Sequence, residues 1–597
     1  GAGARPLRSR RAAMASSDSD SDEEAEPILK YNRIGLDVTE MLTRDSTSCI
    51  RAHEKFLVVG TQNGFIYILD LNGNEVKRFY AHSMPVNEVS VDITGEYVCS
   101  CSDDGLVVVS ALYAEDNLEF TGHEAVKTVA IDPGYVQRDS RELVMGGSDG
   151  QLIRKEKGWF GRMNDSLVHG GEGPIHAIRW EGEFIAWANE IGVKIYDCNL
   201  KSRITHLKRP QGSLDTEYRP RLCWANGRTL LIGWADSIQA VEVRKRDAQQ
   251  AAMGLPVNYV TIVAQFTLPD AICCGIAPHG QDLAVLCHVT DDGDLAEERP
   301  RPELRILDYN GGELSCDALS IHGYAELESP NEYQLDFIAS EHLFYISTPQ
   351  DILVAQNRDT DDHIHWLLEN GREKEALAAA QEGGATRHSV QEVGSLYLHK
   401  LTQQGKWNDA ATKCHELLKS EELWRRWIFV FAHAGQLSCI AHYIPTDRPR
   451  LQTEIYEMVL SDFLKQGSTP NEHTQFLDLI ERWPQGVYRM QPVLELVREA
   501  IKRGGVTSPP TLCKALAMLY SANGQHAYTL DIYLYMYKSG PGDTEKETIG
   551  PDQLFDYIEK HKLHEKAVQR VSEIVNVDAD RGVRLLIRHA TADTKAL

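Results

Sequence analysis

The chain has 597 residues, of which 42% are hydrophobic and 25% charged, with 62 Lys and Arg against 87 Asp and Glu and a net charge of −25. This composition is typical of folded globular domains and excludes a wholly disordered chain. The acidic balance argues against a nucleic-acid binder, which needs a basic surface to neutralise phosphates. No run of 18 or more apolar residues occurs, so the sequence predicts no membrane-spanning helix.

The twelve cysteines are scattered along the chain, and none forms the Cys-x-x-Cys pair that marks zinc ribbons and thioredoxin-like motifs. The sequence begins Gly1-Ala2-Gly3 rather than with the apolar segment of a secreted protein. We therefore expect reduced cysteines in a cytoplasmic protein, with no cofactor and no metal site.

Residues 1–27 are predicted to be a disordered tail, because they are polar and contain few large apolar residues. Residues 1–13 are basic, and Met14 is the predicted natural start. The acidic run from Ser16 to Glu26 follows it. Three serines in this run have a carboxylate three residues further on, as acid-directed kinases require, and are candidate phosphorylation sites: Ser17, Ser19 and Ser21. An inert tail is the alternative.

The end of the tail also loosely matches an acidic dileucine signal for binding an adaptor complex. The residues of this candidate site are Glu24, Ile28 and Leu29. The alternative is that Ile28 and Leu29 enter the first strand of the folded domain.

A strand–turn–strand unit recurs from about Tyr31 to about Arg358. The turn glycines of the first four copies, Gly64, Gly105, Gly150 and Gly192, are 41, 45 and 42 residues apart, which is the period of a four-stranded propeller blade. Three further copies follow, and the last two are less regular. In these, Asp282–Leu286 pairs with Leu304–Asp308 across a polar insertion, and Leu343–Ile346 pairs with Ile352–Ala355. The sequence predicts a seven-bladed β-propeller over residues 28–358.

One copy resembles the WD-repeat pattern, in which a histidine binds a turn aspartate. Its predicted structural residues are His123, Ser148 and Asp149, and Ala81-His82 before Asp104 is a weaker copy. Gly146-x-Ser148-x-Gly150 also matches the nucleophile elbow of hydrolases, but a strand follows it where the elbow needs a helix. A hairpin turn is therefore the prediction.

From Asp361 onward the apolar period changes from two to about 3.6, which indicates helices. Asp361-Asp362 is a predicted helix cap, and Gly371, Gly405 and Gly435 are predicted helix ends. The pattern predicts an α-solenoid of helical hairpins, of the clathrin-heavy-chain or TPR-like type, over residues 359–597. Tyr533, Tyr535 and Tyr537 are predicted to pack in its core rather than to form an aromatic binding face.

The chain contains no phosphate loop, no dinucleotide-binding fingerprint and no His-Glu-x-x-His, so we predict that it is not an enzyme. A propeller followed by an α-solenoid is the plan of membrane-coat and tether subunits, and also of nucleoporins and ciliary-transport subunits. Fold alone does not choose among them.

Several segments of both domains resemble the family of vacuolar protein sorting-associated protein 41. These segments are Glu183–Asp197, Leu222–Trp224, Thr229–Trp234, Asp361–Glu369, Glu481–Pro484 and Leu29–Tyr31 after the acidic leader. The resemblance extends from about Asp18 to about Tyr533.

This resemblance implies a non-enzymatic subunit of the homotypic fusion and vacuole protein sorting (HOPS) tether. Such a protein binds the other tether subunits and Rab-type or Arf-like small GTPases, associates peripherally with late endosomes, lysosomes or vacuoles, and takes part in adaptor-dependent transport. The alternative is a clathrin-like coat or adaptor-binding scaffold for vesicle formation.

The resemblance also implies further helical repeats and a C-terminal RING-like cysteine cluster, which this sequence does not contain. We therefore expect a solenoid that is truncated relative to the family. Assembly with the other tether subunits is in doubt for this chain, whereas contacts made by the propeller should be retained.

Overall fold

The structure is a computed structural model, and it describes residues 26–114, 117–122, 124–158, 161–209, 218–247, 256–290, 299–327, 329–503, 509–539 and 550–593. The chain divides into two compact units, residues 1–358 and 359–597.

Seven antiparallel four-stranded sheets make up the first unit, which confirms the predicted seven-bladed propeller. Each blade is numbered in chain order and is given from its innermost to its outermost strand. Blade 1 contains β2 Thr47–His53, β3 Phe56–Thr61, β4 Phe65–Leu69 and β5 Glu75–Tyr80; blade 2, β6 Val86–Val91, β7 Tyr97–Ser102, β8 Leu106–Ala111 and β9 Asn117–Thr121; blade 3, β10 Val126–Ile131, β11 Leu143–Gly147, β12 Leu152–Lys157 and β13 Met163–His169; blade 4, β14 Ile175–Glu181, β15 Phe184–Asn189, β16 Gly192–Asp197 and β17 Ser202–Lys208; blade 5, β18 Arg221–Asn226, β19 Thr229–Trp234, β20 Ser237–Lys245 and β21 Asn258–Thr267; blade 6, β22 Ala271–His279, β23 Asp282–Val289, β24 Glu303–Leu307 and β25 Glu313–Ala318; blade 7, β26 Gln334–Ile338, β27 Leu343–Thr348, β28 Asp351–Asn357 and β1 Leu29–Arg33.

The core of the propeller lies between neighbouring blades. Successive side chains of a strand point to opposite faces of the sheet. In β3, Leu57 and Val59 therefore pack toward blade 7, whereas Val58 packs toward blade 2, and all three are fully buried. Each of the seven boundaries between blades holds its own cluster of buried apolar side chains.

The ring is closed by the first strand of the chain, which pairs with the last. β1 lies antiparallel to β28 in a register that sets Leu29 opposite Asn357 and Arg33 opposite Leu353. Leu29 is 1% exposed and packs in the cluster between blades 6 and 7. The hydroxyl of Tyr31 donates to Asp317 of blade 6 at 2.8 Å. The N-terminal strand is thus the fourth strand of blade 7, a pairing that the sequence analysis did not predict.

A helix that the sequence analysis also missed, α1 (Leu36–Arg44), connects β1 to β2. Val38 and Met41 of this helix are buried in the cluster between blades 7 and 1. α1 therefore covers the boundary at which the ring closes.

The second unit is helical, as predicted. Its α-helices are α2 Thr360–Glu369, α3 Glu373–Glu382, α4 Val390–Gln403, α5 Trp407–Leu417, α6 Glu421–His433, α7 Leu437–Ile440, α8 Thr453–Asp462, α9 Pro470–Arg482, α10 Met490–Arg503, α11 Pro510–Ala522, α12 His526–Ser539, α13 Pro551–Lys560, α14 His564–Gln569, α15 Val571–Val577 and α16 Ala579–Asp593. One apolar cluster extends from Ile364 to Tyr520, and a second extends from Leu530 to Leu585. Gly371, Gly405 and Gly435 follow helices and have positive φ, as their predicted role at helix ends requires.

The cap of the first solenoid helix differs from the prediction. Asp359, rather than Asp361-Asp362, is the N-cap of α2, and its side chain accepts the backbone N–H of Asp362 at 2.8 Å. Asp361 is buried and accepts the backbone N–H groups of Thr386, Arg387 and His388 at 2.7–3.0 Å. Burial opposes its ionisation, but these hydrogen bonds outweigh burial and hold the pKa of Asp361 well below its usual range. Asp361 therefore fixes the segment that leads into α4.

Replacing Leu29 by Ala should open the closing blade. We expect the free energy of unfolding to fall by about 2–5 kcal/mol, the usual range for a Leu→Ala change in a packed core. Hydrogen–deuterium exchange of Asp351–Asn357 should become faster, because these amides lie beside β1. Asn32→Ala is the matched control, since Asn32 is in the same strand and exposed. Equal exchange rates in both variants would contradict the proposed contribution of Leu29 to the stability of blade 7.

Asp361→Asn should release the segment around Thr386–His388, because a neutral amide offers one acceptor oxygen where the carboxylate offers two. We expect faster amide exchange at these three residues and a lower melting temperature of the helical unit. Asp409→Asn is the control, because Asp409 is an exposed first-turn residue of α5. Unchanged exchange at Thr386–His388 would show that the carboxylate does not hold this segment.

Candidate interaction surfaces

The candidate tail sites divide between residues that the structure describes and residues that it does not. Ser17, Ser19, Ser21 and Glu24 lie outside the described residues. Ile28 is half-buried, its carbonyl accepts the N–H of Arg358 at 3.1 Å, and Leu29 is buried in blade 7. This placement agrees with the alternative that both residues enter the fold. Leu29 is not accessible to an adaptor while β1 stays paired.

The predicted histidine–aspartate network is present in the copy that the sequence marked as weaker. His82 is 1% exposed, and its Nδ1 lies 3.3 Å from the carboxylate of Asp104 while its Nε2 lies 2.8 Å from Ser100 Oγ. Asp104 also accepts the backbone N–H of Ser83 at 2.9 Å. Burial lowers the pKa of His82, although Asp104 opposes this shift. The network joins the loop before blade 2 to a turn within that blade, so its role is structural.

Ser148 and Asp149 lie in the hairpin turn between β11 and β12, and His123 lies outside the described residues. Asp149 accepts the backbone N–H of Gln151 at 3.0 Å, which closes the turn. Because a strand follows Ser148 and no helix does, the local structure is not a nucleophile elbow.

A cavity of about 590 Å³ lies at the centre of the ring and is lined by the innermost strands of all seven blades. Charged side chains in it join one blade to another. Glu88 of blade 2 accepts hydrogen bonds from Thr128 of blade 3 and Arg179 of blade 4. Arg51 of blade 1 lies 3.4 Å from Asp336 of blade 7. These contacts hold the inner strands together. In the sequence, the only feature that indicates them is a single charged residue within an otherwise apolar strand.

Arg221, on the innermost strand of blade 5, is not part of this pairing. Its guanidinium donates to the carbonyls of Asn331 and Tyr333 at 3.3 and 3.1 Å, and burial lowers its pKa. Within the described part of the chain, no carboxylate lies at ion-pair distance from it. Arg221 joins blade 5 to the segment that precedes β26.

Among the residues that the structure describes, no three His, Cys, Asp or Glu side chains converge as a metal site. None of the described helices has the length and apolarity to cross a membrane.

In the second unit, Tyr533 packs against the C-terminal cluster, with its ring 5.6 Å from that of Tyr557, whereas Tyr535 is 39% exposed. The core prediction is correct for Tyr533 and wrong for Tyr535.

Both units match models of one protein family. A model described as "Vps42 beta-propeller", for the Vps41 propeller, matches residues 29–357, and a model described as "Vps41 TPR-like region" matches residues 392–594. Among solved structures, the β-propeller domain of Cps50 (Swd1) from Myceliophteria thermophila matches with a TM-score of 0.42 and 15% identity, over 52% of this chain and 96% of that chain.

Curated relatives match almost the whole chain. The vacuolar protein sorting-associated protein 41 homologs of Solanum lycopersicum, Arabidopsis thaliana and Homo sapiens are 37%, 35% and 36% identical to it, over 94–95% of its residues. The chain spans 60%, 59% and 64% of the length of these relatives.

Acidification should destabilise the propeller through the buried His82 and through partly buried histidines. Burial lowers the pKa of His82, so the unfolded chain binds the proton more readily than the folded one. The stability that neutral His82 contributes is therefore complete above pH about 6.5 and falls as the pH drops below that value. Four other propeller histidines with lowered pKa act in the same direction: His169, His176, His206 and His288.

Thermal unfolding measured at pH 7.5 and pH 5.5 checks this. We expect a lower melting temperature at pH 5.5, and a smaller difference between the two pH values for His82→Gln. The exposed His322, replaced by Gln, is the control and should leave the difference unchanged. A pH difference in His82→Gln equal to that of the parent chain would contradict the assignment.

Proposed function

The chain belongs to the Vps41 family, and on that basis we propose that it acts in vacuolar protein sorting as a subunit of a membrane-tethering complex of the HOPS type. In this role it is a non-enzymatic scaffold that binds Rab-type or Arf-like small GTPases on late endosomal, lysosomal or vacuolar membranes, together with the other tether subunits. The observation that carries the proposal is that both units, in order, match models of the same family.

The propeller has the physical properties that such a scaffold needs. Apolar clusters at all seven blade boundaries and charged contacts across the channel make it a rigid body. A rigid body presents its loops without the entropic cost of ordering them on binding, which favours affinity for a partner. The connecting loops at either end of the blades are therefore the proposed sites of GTPase contact.

Membrane association in this proposal is peripheral and depends on the bound GTPase. Adaptor binding is part of the same proposal, and phosphorylation of Ser17, Ser19 and Ser21 would add negative charge to the tail. Because Leu29 is buried, we propose that such partners bind the chain through residues before Ile28.

Recruitment to liposomes tests the proposal. Liposomes bearing a membrane-anchored late-endosomal Rab or an Arf-like GTPase are mixed with the chain and floated on a density gradient. We expect the chain to float with GTP-loaded GTPase and to stay at the bottom with the GDP-loaded form. A chain that binds both forms equally, or neither, would contradict the GTPase role. Assembly into cages without a GTPase would instead favour a clathrin-like coat.

A further inference from the structure

The outermost strand of blade 5 differs from the outermost strands of the other six blades. An outermost strand leaves one row of backbone N–H and C=O groups without a strand partner, and proteins usually protect such an edge with charged side chains. Each of the other six outermost strands follows this rule: β1 has Lys30, β5 has Lys77, β9 has Glu119, β13 has Asp165, β17 has Arg203 and β25 has Glu313. β21, Asn-Tyr-Val-Thr-Ile-Val-Ala-Gln-Phe-Thr, has no charged residue along its ten positions.

Two adjacent aliphatic side chains of β21 are open to solvent. Ile262 is 53% exposed and Val263 is 49% exposed. Neighbouring residues of a strand normally point to opposite faces, but a β-bulge occurs here. The register with β20 shifts between the pairs Ala240–Ala264 and Val241–Ile262, which leaves Val263 without an opposite residue. Before this bulge Val260 packs toward blade 4, and after it Phe266 packs toward blade 6. Both faces of the strand are thus anchored in the propeller, while among the described strands none pairs with its outer edge, and this aliphatic pair is exposed.

The end of the blade where β21 begins carries positive charge. Arg244 and Lys245 lie opposite Tyr259 and Asn258, and Arg246 stacks on the ring of Tyr259 at 4.7 Å. Asn258 donates to Asp197 at 2.6 Å, which brings the exposed Lys201 and Arg203 of blade 4 to the same end. Glu242, paired with Arg244, and Asp247 offset part of this charge. This basic end is local in a chain whose net charge is −25.

We propose that β21 is a docking strand that binds an extended segment of a partner protein by adding a strand to blade 5. The free backbone groups require an extended partner, the exposed Ile262 and Val263 require apolar β-branched side chains, and the basic end requires acidic residues at one end of the segment. In an antiparallel complex the acidic residues follow the apolar ones in the partner. In a parallel complex they precede them. This surface lies outside the GTPase-dependent recruitment proposed above and does not depend on it.

Fluorescence anisotropy with the full chain and synthetic peptides tests the proposal. The probe is a labelled twelve-residue peptide with a core of alternating Val, Ile and Thr followed by four Asp or Glu residues, and a second peptide has the acidic residues first. We expect saturable binding of one of the two orders. The Lys245→Glu variant should bind this peptide more weakly. When Ser replaces the acidic residues of the peptide, Lys245→Glu should no longer change the affinity.

A matched pair of variants locates the site. Ile262→Lys places a protecting charge on the edge and should weaken binding by at least about tenfold, as expected when an aliphatic contact is lost. Leu314→Lys is the control, because Leu314 has the same exposure of 53% on the outermost strand of blade 6. Melting temperatures of the two variants show that both are folded.

Backbone methylation separates strand addition from simple apolar contact. In an extended peptide, alternate N–H groups point to the same side. N-methylation of one alternate set of core residues should abolish binding, and methylation of the other set should leave it unchanged. The proposal is overturned if neither peptide binds, if Ile262→Lys and Leu314→Lys bind equally, or if both methylated peptides bind. A dimer in sedimentation that is lost in Ile262→Lys would show that a second copy occupies the strand instead.

Discussion

The pairing of β1 with β28 is the contact on which the propeller depends. Arg33 and Asp351, which form an ion pair across it, are 318 residues apart along the chain. Until these two strands meet, the sheets form an open arc with an apolar boundary at each end. Once they meet, the boundary between blades 7 and 1 is buried like the other six, and α1 covers it. The enclosed channel, lined by all seven blades, follows from this one closure.

The same closure explains where charge occurs in the propeller. Inside the ring, Glu88 and Asp336 lie beside arginines from other blades, and this pairing offsets the cost of placing a carboxylate in a confined channel. At the outer rim, charged residues stand in water, where six of the seven outermost strands carry them. β21 is the exception, because it has no charged residue. Folding of the propeller alone does not require an uncharged outermost strand.

Those parts of the fold that produce a local pattern in the sequence could be predicted from it. The spacing of Gly64, Gly105, Gly150 and Gly192 gave the period of the blades, because the same short turn recurs once in each blade. The apolar stripes after Asp361 gave the helices, because they repeat within a few residues. The partner of Leu29 could not be predicted, since β1 resembles any short strand and its partner lies at the far end of the domain. For the same reason the pattern indicated neither the pairing of Glu88 with Arg179 nor the cap at Asp359, where three neighbouring aspartates are equally good candidates. His82 shows that a weak copy of a motif can hold the complete network.

The position of the closing strand has a consequence for how the protein is made. Ribosomes release the chain from its N-terminus, so β1 leaves the exit tunnel first and then waits for β28, the last strand of the domain. During that interval the side chain of Leu29 is exposed to solvent, and more than three hundred residues must be translated before it is covered. The first strand of the nascent propeller therefore has no strand partner until the last strand of the domain has been translated.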